Sequence, residues 1–465
     1  MDGLECSEIS YNTIFLENRL DSEFFLKADL LKESQIDALS PVKISDFAFV
    51  TDGIHTSIDF DENSKINLIS AKAPKKNFFD LSGTGYISSN QNNQNPRTQL
   101  INNDVIISTV GTIGNCAVVN ESVLPANADR HVGIIRINEK SLIKPRYLST
   151  FILSKYGQYQ TRRFTTGNVQ PNLFIYKVKD IKVPIISVNW QNTIENIVLQ
   201  AETLLAESKR VLLLVEEILQ KNLPIKQCSM PNYSIKMIKE SFFLTGRLDA
   251  EYYQTKYQMY ESAVFEASKG YTHVKEQFES IKTKCSRDLD AYNYVEIGDI
   301  DVSDGSASFK TIETCDLPDN AKTMTREGDV LVSTVRPNRG AVAILESNEL
   351  LVSGAFTVLR EKGNYPKELL QALFRTSIYR DWLLRFNVGT SYPVIKDIDV
   401  LNMPIPFFEK NIEDTIVAYV KKASSLRSKS KELLEYANKA VEIAIEQNES
   451  IAETWLNEKV SDLEV

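Results

Sequence analysis

The chain has few of the residues that build disulfide, metal and membrane-spanning structures. Its 465 residues include five cysteines, Cys6, Cys116, Cys228, Cys285 and Cys315, with no CxxC spacing. Free thiols in a reducing cytosol fit that pattern better than a disulfide framework or a zinc site. Histidine occurs three times, at His55, His131 and His273, too far apart to suggest a ligand set. No run of 18 apolar residues exists, so no membrane span is expected. The acidic, polar start MDGLECSEIS does not read as a signal peptide. Motifs for cofactor chemistry are missing as well. There is no GxxxxGKS/T phosphate loop, no FxGxG-type loop and no NPPY-type tetrapeptide, and Ser82-Gly83-Thr84-Gly85 stands alone in a polar stretch. Paired carboxylates occur, but none in a nuclease arrangement with a following Lys. No catalytic residue and no metal site is assigned.

What is present is an ordinary soluble composition, 43% hydrophobic and 25% charged, in a chain long enough for roughly two to four domains. Two stretches carry a heptad pattern. In Gln191 to Leu223 the apolar positions are Ile194, Ile197, Ala201, Leu204, Val211, Val215 and Ile218. Ser208 fills the missing step, and Val198, Leu205, Leu212 and Leu219 widen the stripe. The second stretch has Ile416, Tyr419, Ala423, Leu426, Ser430, Leu433, Ala437, Ala440 and Ala444, again with one serine in the seam. Alternating steps of three and four predict helices whose seams lie on one another.

Each helix closes one copy of a duplicated segment. Arg19-Leu20-Asp21-Ser22-Glu23-Phe24-Phe25 returns as Arg247-Leu248-Asp249-Ala250-Glu251-Tyr252-Tyr253. Val42-Lys43 is matched with Val274-Lys275, and residues 104–110 (DVIISTV) with 329–335 (DVLVSTV). Phe164, Gly167 and Pro171 match Phe386, Gly389 and Pro393, and Pro184-Ile185 is matched with Pro404-Ile405. Matches in one order with a slowly drifting offset indicate an internal repeat. In each copy, β-branched runs predict strands at 105–110, 117–119 and 132–137, and at 330–335, 341–345 and 355–359. One helix is expected over 145–163 and another over 366–385.

Charge is unevenly distributed. The net value of −9 disfavours nucleic acid, yet residues 71–185 carry 15 bases and 6 acids, whereas residues 1–70 carry 14 acids and 5 bases. A basic block in an acidic chain reads as a candidate phosphate-binding surface.

The duplicated domains, each with Gly-x-x-x-Pro, a strand, a Pro-Ile pair and a heptad helix, resemble the DNA-specificity subunit of type I restriction–modification systems. Gly167-Asn168-Val169-Gln170-Pro171-Asn172-Leu173 and Ser108-Thr109-Val110-Gly111-Thr112-Ile113-Gly114 resemble segments of that family's target-recognition domains. The second copy departs from them, with Gly389-Thr390-Ser391-Tyr392-Pro393 and Arg336-Pro337-Asn338-Arg339-Gly340. The resemblance implies an α+β fold of two target-recognition domains, at 1–186 and 241–407. Spacer helices at 187–225 and 408–448 would pair as an antiparallel coiled coil, with a connector at 226–240 and an acidic, poorly ordered tail at 449–465. It also implies a non-catalytic, cytoplasmic, prokaryotic subunit with no cofactor of its own. That subunit binds double-stranded DNA at a bipartite interrupted site. It directs adenine methylation by two modification subunits that hold S-adenosylmethionine, with or without a motor-nuclease restriction subunit. The helix length, roughly 50 Å at 1.5 Å per residue, is expected to set the gap between half-sites.

Base reading calls for forked donors and acceptors. The candidates are Asn92, Asn93, Gln94 and Arg97 in the stretch SSNQNNQNPRTQ, and Thr165, Thr166, Asn168 and Gln170 at the first Gly turn. The second copy offers Arg336, Asn338 and Arg339, with Asn387, Thr390, Ser391 and Tyr392 at its Gly turn. Lys72, Lys75, Lys76, Arg162, Arg163, Arg375, Arg380 and Arg385 are candidate phosphate contacts, which position without specifying. Two readings remain open beside this one: a coiled-coil scaffold that binds proteins and no DNA, and a self-contained methyltransferase or nuclease.

Overall fold

The computed structural model describes residues 7–12, 14, 19–167, 171–223, 243 and 245–463. The connector 226–240 lies outside them. The chain divides into two compact units, residues 1–205 with 428–465, and residues 206–427.

Unit 1 begins with α1 (Lys27–Asp37), β1 (Val42–Lys43) and β2 (Ala48–Asp52), followed by β3 (Ile66–Ile69), β4 (Tyr86–Ile87) and α2 (Ser89–Gln94). Next come β5 (Val105–Ser108), β6 (Cys116–Val118), β7 (Ala126–Ala128) and β8 (Val132–Ile137). Then follow α3 (Pro145–Leu153), α4 (Lys155–Phe164), α5 (Ile175–Lys179), β9 (Lys182–Val183) and the long α6 (Val188–Asn222). The main sheet is antiparallel in the order β2-β8-β5-β6. A second sheet, β4-β3-β7, covers one face of it. The continuous apolar run at β5 follows from that layering. Val105 and Ile107 point into a core with α3 and α4, while Ile106 points into the core on the other face. A strand buried on both faces has no polar positions to alternate.

Unit 2 repeats the plan with α7 (Thr255–Phe265), β10 (Tyr271–His273), β11 (Phe278–Ser280), β12 (Ala291–Val295), β13 (Lys310–Glu313) and β14 (Ala321–Met324). It continues with β15 (Val330–Ser333), β16 (Val342–Ile344), β17 (Leu351–Ser353) and β18 (Phe356–Glu361). Its last elements are α8 (Lys367–Arg375), α9 (Ser377–Leu383), α10 (Asp397–Leu401), β19 (Pro404–Pro406) and the long α11 (Lys410–Glu446), followed by α12 (Glu449–Asp462). The order β11-β18-β15-β16 mirrors the first sheet, and Leu331 again faces away from Val330 and Val332.

The register corrects two of the repeat matches. Val42 pairs with Val183, and Thr272 with Ile405. The counterpart of Val42 is therefore Thr272, not Val274, and that of Pro184 is Pro406, not Pro404. Both slips are two residues long, which leaves each side chain on the same face and so looks right in sequence. The helices expected over 145–163 and 366–385 are each broken, at Ser154 and at Thr376. Both residues sit in extended backbone, and the Thr376 hydroxyl caps the next helix by accepting from Tyr379 N.

The seam forms as expected, slightly rotated. Ile194, Ala201, Val211 and Val215 are buried, but Val198 and Leu219 replace Ile197 and Ile218 at its centre. Ser208 Oγ donates to Ala423 O at 2.8 Å, and Ser430 Oγ donates to Ala201 O at 2.7 Å. The partner number falls as the α6 number rises, so the helices run antiparallel. The serines thus bridge backbones where small residues let the helices approach. Ser208→Ala and Ser430→Ala are each expected to cost about 1 kcal/mol, and Ser→Leu more by overpacking, as read from urea midpoints. A Leu variant as stable as the parent would rule out the close approach.

The acidic tail is not disordered. It forms α12, capped by Asn448 Oδ1 accepting from Ile451 N at 2.9 Å, with Ala452 and Leu456 buried in the unit 1 core. Glu449 accepts from Ser187 N at 2.8 Å just before α6. Part of the charged face of α6 is paired within the unit. Glu202 takes both ends of the Arg146 fork at 2.9 Å, and Glu195 lies within 4 Å of Arg146 and Lys144. Among the described residues no helix is long and apolar enough to cross a membrane.

Candidate nucleic-acid interface

The basic block of unit 1 is mostly spent inside the unit. Arg163 donates to Glu33 at 2.7 Å, Lys182 reaches Glu33 and Asp37, and Arg162 pairs with the buried Asp29. Arg136 clasps Asp104 with two bonds, of 2.8 and 2.6 Å, and Lys155 pairs with Glu446. Arg162, Arg163 and Lys182 of the basic 71–185 segment thus pair with acids of the 1–70 segment, so part of the charge contrast between the two is spent inside the unit.

The RLD motif explains part of this. Arg19 locks onto Asp21, and Phe24 lies between the Arg19 and Arg163 guanidiniums, 4.6 and 3.9 Å from the ring centre. Unit 2 repeats it: Arg247 locks onto Asp249, and Tyr252 meets Arg247 at 5.0 Å and Arg385 at 4.5 Å. Arg385 also pairs with Glu261. Arg163 and Arg385 are thus clamps and not phosphate contacts, and Arg162 is largely neutralised by Asp29. Arg375 is half-buried, donating to Asp304 O at 2.8 Å, and desolvation of its guanidinium lowers its pKa. Arg380 is half-buried, packed beneath Gly340, with its Nε enclosed. Lys75 lies 3.7 Å from Asp80, while Lys72 and Lys76 are exposed.

These clamps set a pH dependence. Burial alone would raise the Asp29 carboxyl, but hydrogen bonds from Arg162 and Lys32 outweigh it and hold it below the usual range. Burial would likewise raise Glu33, and Arg163 and Lys182 hold it down. A carboxyl held low when folded stabilises fully above its unfolded pKa, about 4. That contribution is lost as pH falls through the lowered folded value. Unit 1 is expected to weaken below about pH 4, with Glu33→Gln flattening the loss in urea midpoints followed across pH. An unchanged profile in Glu33→Gln would contradict this.

In unit 2 the structure brings the candidate base readers together. Arg336, Asn338 and Arg339 are exposed on the turn after β15, and Thr390, Ser391 and Tyr392 on the Gly turn. Arg336 N donates to Pro393 O at 2.7 Å, and its guanidinium stands 5.4 Å over the Tyr392 ring. Arg336 holds φ 51°, a left-handed backbone unusual for a non-glycine residue. Asn387 is a frame residue, its Oδ1 accepting from Gly389 N and Val394 N at 2.8 and 2.9 Å. Gly389 is required there, because a Cβ would lie 2.1 Å from Tyr392 O.

In unit 1 each candidate stretch touches one residue that lines a pocket, Arg97 through Asp52 and Thr166 through Asn172. The polar stretch forms α2 and a short turn. Asn93, Gln94 and Arg97 are exposed, while Asn92 Oδ1 is engaged by buried Asn127 at 2.9 Å. Arg97 bonds Thr51 and approaches Asp52 at 3.5 Å. Thr166 bridges to Asn172, whereas Thr165 Oγ1 donates to Thr161 O at 2.6 Å. Asn168 and Gln170 lie outside the described residues. Asp52 and Asn172 both line a cavity of about 550 Å³, together with His55, Arg130, His131, Phe174 and Tyr176. Sequence reasoning weighed His55 and His131 only as metal ligands and passed over Arg130, Phe174 and Tyr176. The one available signal was Phe174-x-Tyr176, two aromatics directly after the Gly turn.

No protein-family model matches the chain, and no curated protein matches it. Among solved structures it is similar to a type I restriction–modification system S subunit from M. genitalium, at 10% identity and TM-score 0.42, over 90% of this chain and 95% of that one. It is also similar to an HsdS subunit from Thermoanaerobacter tengcongensis, at 14% identity and TM-score 0.28, over 88% and 96%. A chain from a study of type I R-M complex assembly and conformational transition matches at 14% identity and TM-score 0.29, over 87% and 97%.

Proposed function

We propose that this chain is the sequence-reading subunit of a DNA methyltransferase complex. Its two domains recognise the halves of a bipartite duplex site, and partner subunits carrying S-adenosylmethionine methylate adenine there. One observation carries the reading. The internal frame is kept in both copies, while the exposed turns differ. Asp104–Arg136 and Asp329–Arg360 are the same forked pair, and Arg19–Asp21 and Arg247–Asp249 the same clamp. At the turn after the central strand, however, Thr112-Ile113 stands where unit 2 has Asn338-Arg339. A scaffold used twice with unlike polar turns suits two unlike short sequences, because base edges are read by side chains and not by the frame. No residue of the chain is assigned to catalysis.

The test is duplex binding by the purified chain at several salt concentrations. The expected result is affinity whose logarithm falls with log salt by about 0.9 per phosphate contact, with no methylation until a methyltransferase subunit is added. Affinity indifferent to salt, or no duplex binding at all, would favour the protein-scaffold reading.

A further inference from the structure

The unit 1 pocket takes no part in the clamps. Along it, Phe174 and Tyr176 stack at 5.7 Å with 14° between their planes, and they are 44% and 59% exposed. The fold does not need them, since unit 2 carries Lys396 and Ile398 at the equivalent places around α10. Two adjacent rings left in water on a stable frame mark a surface kept for a partner. The other charged or ionisable lining residues are Asp52, His55, Arg130 and His131. Arg130 is exposed, and its Nε lies 3.3 Å from His131 Nε2. Among the described residues no carboxylate forms an ion pair with Arg130. His131 Nδ1 is 3.2 Å from Asp129, and His55 Nε2 is 2.6 Å from Asp52, so each imidazole is held by a carboxylate. Thr109 and Asn172 add polar groups beside the rings.

We propose that this pocket binds one nucleotide held out of the base stack, with its base against the Phe174–Tyr176 face and its phosphate at Arg130. The proposal rests on the DNA-reading role above and gives unit 1 a mode of contact that unit 2 lacks. A base removed from its neighbours needs a flat apolar surface of its own size, and a phosphate oxygen needs a forked donor. Both are present here, in a cavity of about 550 Å³ with room for a nucleotide. An aliphatic ligand would leave Arg130 idle, and a bare anion would leave the rings idle. Stacking on aromatics tolerates any base. The pocket therefore adds affinity for an unpaired nucleotide and leaves sequence choice to the polar turns.

The experiment uses the full chain with dAMP, deoxyadenosine and inorganic phosphate followed by ligand-observed NMR, and with a single-stranded oligonucleotide and a duplex followed by anisotropy. The variants are F174A/Y176A, F174W/Y176W and R130Q, all at exposed positions. The expected result is dAMP binding stronger than that of either fragment. F174A/Y176A should weaken dAMP and single-strand binding roughly tenfold, F174W/Y176W should retain both, and R130Q should weaken dAMP but not deoxyadenosine. Unchanged dAMP and single-strand binding in F174A/Y176A, or no dAMP binding by the parent chain, would overturn the proposal. If the duplex is still bound with salt sensitivity in that case, only the pocket has failed. Loss of duplex binding under all conditions would instead remove the DNA-reading role.

Discussion

Arg163→Ala is expected to destabilise the protein by about 3 kcal/mol, whereas Arg162→Ala, one residue away, costs about 1 kcal/mol. The contrast comes from burial. The Arg163 side chain is 4% exposed, and that of Arg162 is 62% exposed. Removing one partner of a buried pair costs about 3–5 kcal/mol, because the other charge is left unsolvated. Two features place Arg163 at the low end of that range. Glu33 keeps Lys182 at 3.3 Å, and Glu33 itself is partly exposed. Against them, alanine also uncovers the Phe24 face on which the guanidinium rests at 3.9 Å. Asp29 is buried, but it retains Lys32 at 2.9 Å when Arg162 is cut back, so its charge is not left unpaired, and the Arg162 side chain gives up little because it stays largely in solvent. Urea midpoints of the two variants test this, and equal losses would show that Arg163 is not a buried clamp. DNA binding provides a second readout. A phosphate contact would lower the salt slope by about one on removal, and Arg163→Ala is expected to leave the slope unchanged under conditions where the variant is folded.

The same residue shows where sequence reading stops. Two arginines at a helix end, inside a block of 15 bases and 6 acids, look like a phosphate surface. That both meet carboxylates of α1, and that only Arg163 is buried there, depends on α1 packing against α4, a contact between segments more than a hundred residues apart. Local patterns fared better. The heptad seam, the β5 and β15 strands and the RLD repeat all rest on spacing within one element, which fixes the faces of helices and strands. The two-residue slips at Val42 and Pro184 arose because a period of two cannot tell a register from its neighbour on the same face. The break at Ser154 lay behind an apolar run that reads as one helix. α12 was missed because its acidic surface hides two buried positions, Ala452 and Leu456. The turn cluster of unit 2 was legible because its polar residues sit on loops that the frame must expose. The unit 1 pocket was not, since Asp52, Arg130 and Phe174 come from three distant segments.

Replacing Arg336 or Arg339 is expected to relax recognition at one half-site only, by about 1–3 kcal/mol at the base each one reads. Arg336 is the better placed of the two. Its turn is tied to the Gly turn through Pro393 O, and Tyr392 supports its guanidinium, so less side-chain freedom is lost when it meets a base edge. Its left-handed backbone complicates a simple alanine test, because alanine at φ 51° keeps the strain while losing the ring contact. Arg336→Gly removes the side chain and relieves that strain, so a recognition defect in a glycine variant at least as stable as the parent belongs to the lost guanidinium. Arg336→Lys retains the charge but not the fork, and it separates phosphate attraction from base reading. If Arg336 reads guanine edges, lysine should retain general affinity while discrimination at one position falls. Tyr392→Phe should behave like the parent and Tyr392→Ala like a weaker form of Arg336→Gly, since the ring face and not the hydroxyl supports the cation. Methylation profiling of DNA from cells expressing each variant with its methyltransferase reads all of these outcomes on both half-sites at once. A site preference unchanged in Arg336→Gly and Arg339→Ala, or relaxed equally in both halves, would mean that this turn does not read the bases of the second half-site.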